Sequence, residues 1–82
     1  MKNLVDFTRD HLQNNLDLAK RFSQHPTDTT RSVIEMLYSQ AYGGVELLVA
    51  WLNYQRDPDN LVPTLLEIWN EEYRKEFEKL LQ

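Results

Sequence analysis

The sequence predicts an all-α fold, an up-down-up three-helix bundle that dimerisation would extend into a larger helical core. Apolar residues recur at three- and four-residue steps in three segments, and no segment alternates as a strand would. Two turns that contain proline separate the segments. We expect a single domain, residues 1–82, with helices over about residues 3–24, 30–55 and 61–81. Short connections make consecutive helices antiparallel.

Each expected helix carries signals at its ends. Asn3 can cap the first helix, and the His-Pro pair at residues 25–26 ends it, because the residue before proline avoids the α region. Residues 27–32 supply several hydroxyl and carboxylate caps for the second helix, and Ser32 with Glu35 has the spacing of a capping box. Pro63 fits only the first turn of the third helix.

Each helix also has an apolar stripe that should face the core. The stripes are Val5, Thr8, Leu12, Leu16, Ala19 and Phe22 in the first helix, Ile34, Leu37, Tyr38, Ala41, Val45, Leu48 and Leu52 in the second, and Val62, Leu66, Trp69, Tyr73, Phe77 and Leu80 in the third. Folding the chain back at the second turn places Gly44 opposite Tyr73 and Leu48 opposite Trp69. Trp51, Tyr54, Trp69 and Tyr73 are then expected to cluster near that turn.

A tandem glycine, Gly43-Gly44, lies in the middle of the second helix. Each glycine costs about 0.5–1 kcal/mol relative to alanine in a helix, so a gain in packing should offset it. The preferred interpretation is that Gly44 makes room for Trp69 and Tyr73. A kink in the helix and the close approach of another helix along Gly43 are the alternatives.

The second helix has more apolar surface than two neighbours usually cover. At 100° per residue, Met36, Gly43, Leu47, Ala50 and Tyr54 fall on one line away from the core stripe, with Trp51 at its margin. We call these six residues the seam. Their spacing resembles an a/d pattern and predicts a protein interface. Alternatively, the first helix and the chain ends wrap around the second helix and cover the seam.

Composition excludes several classes of function. The chain has 82 residues, a net charge of −4 and no cysteine, so neither disulfides nor broad attraction to phosphates is available. A core this small is marginal, which favours oligomerisation. Charged residues interrupt the apolar N-terminal segment, and no apolar run approaches the roughly 20 residues of a membrane span. We expect a cytoplasmic protein with no nucleic-acid or membrane partner.

Little in the sequence points to catalysis. Phe7, His11 and Leu18 lie outside the stripe of the first helix, and His11 could meet Glu76 across the bundle as an acid/base pair. A structural role for this histidine is the stronger interpretation. Neither histidine lies three residues after a glutamate, as bundle di-metal sites require, and there is no phosphate-binding loop. We therefore expect no enzyme activity, no metal and no cofactor.

Two strings resemble segments of uncharacterised small helical proteins from Gram-positive bacteria and their mobile elements. They are Gln-Ala-Tyr-Gly-Gly-Val-Glu at residues 40–46 and Ile-Trp-Asn-Glu-Glu-Tyr at residues 68–73. This resemblance implies a cytoplasmic helical module and no site residues. In size and helix count the chain is also similar to bacteriocin immunity proteins.

These observations predict a non-enzymatic module for protein–protein interaction that forms a homodimer through the seam. A regulatory or immunity-type binder of another protein is the alternative. A small enzyme or ligand binder that uses His11 and Glu76 is a third.

Overall fold

The computed structural model describes residues 3–82, and within them the protein is helical with no strand. Helix α1 spans Leu4–Ser23 and helix α2 spans Asp28–Tyr54. The third helix, residues 62–81, is continuous but has three parts: α3 at Val62–Glu67, a π-helical segment at Ile68–Tyr73 and α4 at Arg74–Leu81. Three helices packed around one apolar cluster fit the predicted bundle.

Helix α1 begins where its cap predicts. The Asn3 side chain accepts a hydrogen bond from the backbone N–H of Asp6, with 2.8 Å between donor and acceptor. Three apolar stripe residues and Thr8 are buried, and the Thr8 hydroxyl donates to the carbonyl of Leu4. That bond satisfies a polar group that would otherwise be costly in the core.

The cap of helix α2 is one of the candidates in residues 27–32, but the capping box is not the predicted Ser32–Glu35 pair. Thr27 is the N-cap, and its side chain and that of Thr30 form the reciprocal bonds of a capping box. Ser32 already lies within the helix, where its hydroxyl donates to the carbonyl of Asp28. Thr27 has the extended conformation of an N-cap residue, and it carries the first hydroxyl after the turn, so it caps the helix.

The second turn is organised by Asp57. Its carboxylate accepts hydrogen bonds from the N–H groups of Leu61 and Val62, at 2.7 and 2.9 Å. These bonds satisfy donors at the start of the third helix, where residue 61 itself provides no side-chain cap. Arg56 and Asp57 adopt positive φ angles, which turn the chain sharply after α2.

The third helix corrects the stripe predicted for it. Leu65 and Ile68 are fully or almost fully buried together with Phe77, although the sequence assigned neither of the first two to the core. At 100° per residue an unbroken α-helix would put Ile68 and Phe77 on opposite sides, about 180° apart. The π-helical segment absorbs roughly one extra residue, and this also changes the position of Leu65. The angle around the helix axis between Leu65 and Phe77 becomes about 20°.

The aromatic cluster also differs from the prediction. Trp69 stacks on Tyr42 with ring centroids 5.4 Å apart and meets Tyr38 edge-on at 5.5 Å, so it does not face Leu48. Phe77 completes this cluster. The predicted register treated the third helix as unbroken α-helix, and the π-helical segment changes which side chains face α2.

Candidate functional site

All six seam residues are exposed on α2. The large ones expose most of their surface: Met36 is 68% exposed, Leu47 73% and Tyr54 83%. Trp51 is 55% exposed, so the predicted cluster of Trp51 and Tyr54 with Trp69 does not form. The alternative interpretation required α1 and the chain ends to cover the seam. Within residues 3–82, neither α1 nor the described chain ends do so.

Helix α1 extends this apolar surface. Leu4 and Phe7 join Leu47, Leu48 and Trp51 around an open concavity of about 560 Å³. Phe7 is 55% exposed, which is unusual for a phenylalanine in a monomer. Sequence reasoning placed Phe7 outside the core stripe but did not join it to the seam, since that required the packing of α1 against α2.

The two glycines have opposite surroundings. A Cβ atom added at Gly43 would meet nothing within 4 Å, so the centre of the seam is a patch of bare helix backbone. A Cβ at Gly44 would collide with the His11 ring, approaching Cε1 to 2.8 Å and Nε2 more closely still. The glycine therefore makes room for His11, and the predicted contact of Gly44 with Trp69 and Tyr73 is wrong.

His11 and Glu76 form separate interactions. The Nε2 atom of His11 lies 3.3 Å from the carbonyl oxygen of Ala41, in hydrogen-bonding contact with α2. Glu76 pairs with Lys79 at 3.2 Å, one turn along its own helix. Among the described residues no hydrogen bond or ion pair joins His11 to Glu76, so the structure does not assemble the acid/base pair considered above.

The contact between α1 and the third helix is polar at its edge. The Arg9 guanidinium donates two hydrogen bonds to the carboxylate of Glu72, at 3.2 and 3.0 Å, and this raises the pKa of Arg9. Next to it, the Tyr73 hydroxyl donates to Gln13 Oε1 at 3.2 Å. Burial, followed by the charge of Glu72, raises the pKa of Tyr73. These contacts join α1 to the third helix, on a side of the bundle that lacks the exposed apolar groups of the seam.

Two further features bear on what the surface can bind. Residues 3–82 contain no group of three or more His, Asp or Glu side chains placed to hold a metal ion. Within the same residues, every helix is too short or too polar to cross a bilayer. The largest unexplained feature that remains is the exposed apolar seam with the concavity beside it.

No protein-family model matches the chain, and no curated protein or solved structure does.

Proposed function

We propose that this protein is a non-enzymatic helical module for protein–protein interaction and that it forms a homodimer through the seam. The observation that supports this most directly is the exposure of Met36, Leu47 and Tyr54 along one line of α2. Exposed apolar patches of this kind mark interaction sites on soluble proteins. A two-fold dimer needs only that the same patch on both copies be complementary to itself.

The exposed apolar area is comparable to that of a standard interface. At about 150–250 Å² for a large side chain, the exposed parts of Phe7 and the four large seam residues amount to on the order of 600 Å². A standard interface buries roughly 800 Å² per partner, of which about 56–65% is apolar. The seam and Phe7 together supply that apolar fraction.

Dimerisation also suits a domain of this size. An 82-residue chain without cysteine has a thin core and no covalent cross-link, so its stability is marginal. A second copy would cover the seam and join the two α2 helices at the centre of a six-helix assembly. The core would then grow without any change in the fold of the single chain.

The Leu47→Arg substitution tests this proposal. Leu47 is 73% exposed, so arginine fits the monomer without loss of helix, while it places a charge in the proposed interface. Sedimentation equilibrium should show a dimer for the wild-type protein and a monomer for the variant, with unchanged helical circular dichroism. A wild-type protein that stays monomeric at high micromolar concentration would overturn the proposal.

Thr64→Arg is the matched control. Thr64 is exposed and uncharged, lies on the third helix, and gives the same change in charge. Its variant should dimerise as the wild-type protein does. Equal loss of the dimer in both variants would mean that added charge alone causes dissociation.

A further inference from the structure

We infer that the second copy packs antiparallel on α2, with the two-fold axis passing close to Gly43. This inference rests on the proposed homodimer and adds the orientation of the partner and the residues that meet it. In such a pairing, residues at equal distances before and after Gly43 lie opposite each other.

Side-chain sizes are complementary in this register. Met36 lies seven residues before Gly43 and would face Ala50, seven residues after it. In the same way Leu47 would face Ser39, and Tyr54 would face Ser32. All of these residues are exposed in the single chain. Met36, Leu47 and Tyr54 therefore each meet a small side chain, whereas a parallel pairing in register sets large against large and leaves gaps at Gly43 and Ala50.

Gly43 permits the close approach that this register requires. The residue at the axis contacts the same residue of the second copy. Any side chain there would therefore be present twice between the two helices and would hold them apart. Because a Cβ at Gly43 would have open space around it, the glycine does not serve packing within the chain. A backbone contact at the axis accounts for a residue that otherwise costs about 0.5–1 kcal/mol of helix stability.

The helix macrodipoles favour the same orientation, because an antiparallel pairing opposes them and a parallel pairing aligns them. Glu46 is exposed on the same flank of the seam as Ser39, so the antiparallel register would place its carboxylate beside an uncharged residue of the second copy.

The concavity beside the seam fits the same arrangement. Met36 of the second copy would arrive opposite Ala50, next to Leu47 and Trp51, which border the concavity of about 560 Å³. A methionine side chain is flexible and adapts well to an irregular apolar hollow. Phe7, which borders the same concavity and is exposed in the single chain, would then lie beside the incoming methionine.

Pairwise cross-linking tests the orientation directly, because the natural chain has no cysteine. One chain carries Met36→Cys, a second carries Ala50→Cys, and each is oxidised with copper–phenanthroline alone and after mixing. An antiparallel dimer should give cross-links between the two variants several-fold faster than within either one. In that dimer the two copies of position 36 lie about 21 Å apart along the axis. A disulfide spans no more than about 7 Å between Cα atoms.

Two controls make the outcomes distinct. Thr64→Cys, on the exposed surface of the third helix, sets the rate of random collision, and sedimentation under reducing conditions shows whether each variant dimerises. Dimers that cross-link within Met36→Cys alone, or no faster than the Thr64→Cys control, would overturn the antiparallel register while leaving the homodimer in place. Monomers in the reduced wild-type and variant samples would overturn the homodimer and this inference together.

Discussion

At the scale of single residues, Gly43 and Gly44 show how neighbouring identical residues can serve different purposes. One has open space around it on the surface, and the other faces the ring of His11 inside the bundle. A residue count around the helix separates the two by 100° but does not say which side chain fills the space at Gly44. The sequence therefore predicted that a glycine was needed and named the wrong neighbours.

Gly44→Ala should destabilise the protein. The new Cβ would push His11 from its contact with Ala41, and overpacking of this kind costs about 1–3 kcal/mol. The gain in helix propensity, about 1 kcal/mol, offsets part of this cost. Urea unfolding in a Leu47→Arg background measures the effect on the monomer.

Gly43→Ala in the same background is the matched control. It gains the same helix propensity with no collision, so it should raise the free energy of unfolding by up to about 1 kcal/mol. Adding His11→Ala to Gly44→Ala should remove the penalty. Equal effects of the two alanine substitutions would contradict the assignment of Gly44 to His11.

Asp57→Ala should cost about 0.5–2 kcal/mol of stability, as the loss of a helix cap does. The change removes two hydrogen bonds, from the N–H groups of Leu61 and Val62, at the start of the third helix. Thermal unfolding of Asp57→Ala beside Asp59→Ala checks this, since Asp59 is exposed in the same turn. A loss of similar size in both variants would show that Asp57 has no special role.

At the scale of elements, the third helix shows where periodicity fails. The existence of three helices follows from three- and four-residue spacing, and their observed bounds differ from the expected ones by no more than two residues. The π-helical segment is different, because it depends on Leu65, Ile68 and Phe77 all reaching the core. The available signal was that these three large apolar residues do not fit one α-helical face.

Deletion of Glu71 should be tolerated for this reason. Glu71 is exposed in the π-helical segment, and its removal allows a regular α-helix that keeps Leu65 and Phe77 on one face. Only its exposed pair with Lys75 is lost, and such pairs contribute little. Circular dichroism and the urea midpoint should stay close to those of the wild-type protein.

Deletion of Ser39 is the contrasting variant. Ser39 is exposed like Glu71, but it lies in regular α-helix, so its loss rotates the second half of α2 by about 100°. Val45 and Leu52 would leave the core, and the variant should unfold at much lower urea concentration. Equal damage from both deletions would contradict an extra residue in the third helix.

At the scale of the whole molecule, the seam can be predicted by counting residues around the second helix, without a structure. The line of Met36, Gly43, Leu47, Ala50 and Tyr54 can be drawn from the sequence, and the structure leaves all five exposed. The contribution of Phe7 to this surface could not be predicted from the sequence, because it depends on how α1 packs beside α2. Sequence periodicity describes one helix at a time, whereas a surface is built from several.

Dimerisation should make thermal stability depend on concentration. Because the dimer is formed only by folded chains, mass action should raise the Tm of the wild-type protein by roughly 3–5 °C for each tenfold rise in concentration above its dissociation constant. The Leu47→Arg variant should show no such rise. Calorimetry over a range of concentrations compares the two, and a constant Tm for both would contradict a dimer linked to folding.

The most direct test of the proposed homodimer is the solution mass of the wild-type protein across concentration. The chain has a mass of 9.8 kDa. Sedimentation equilibrium should give twice that value as the concentration rises through the micromolar range. A mass that stays at that of one chain up to high micromolar concentration would mean that the protein does not form the proposed homodimer.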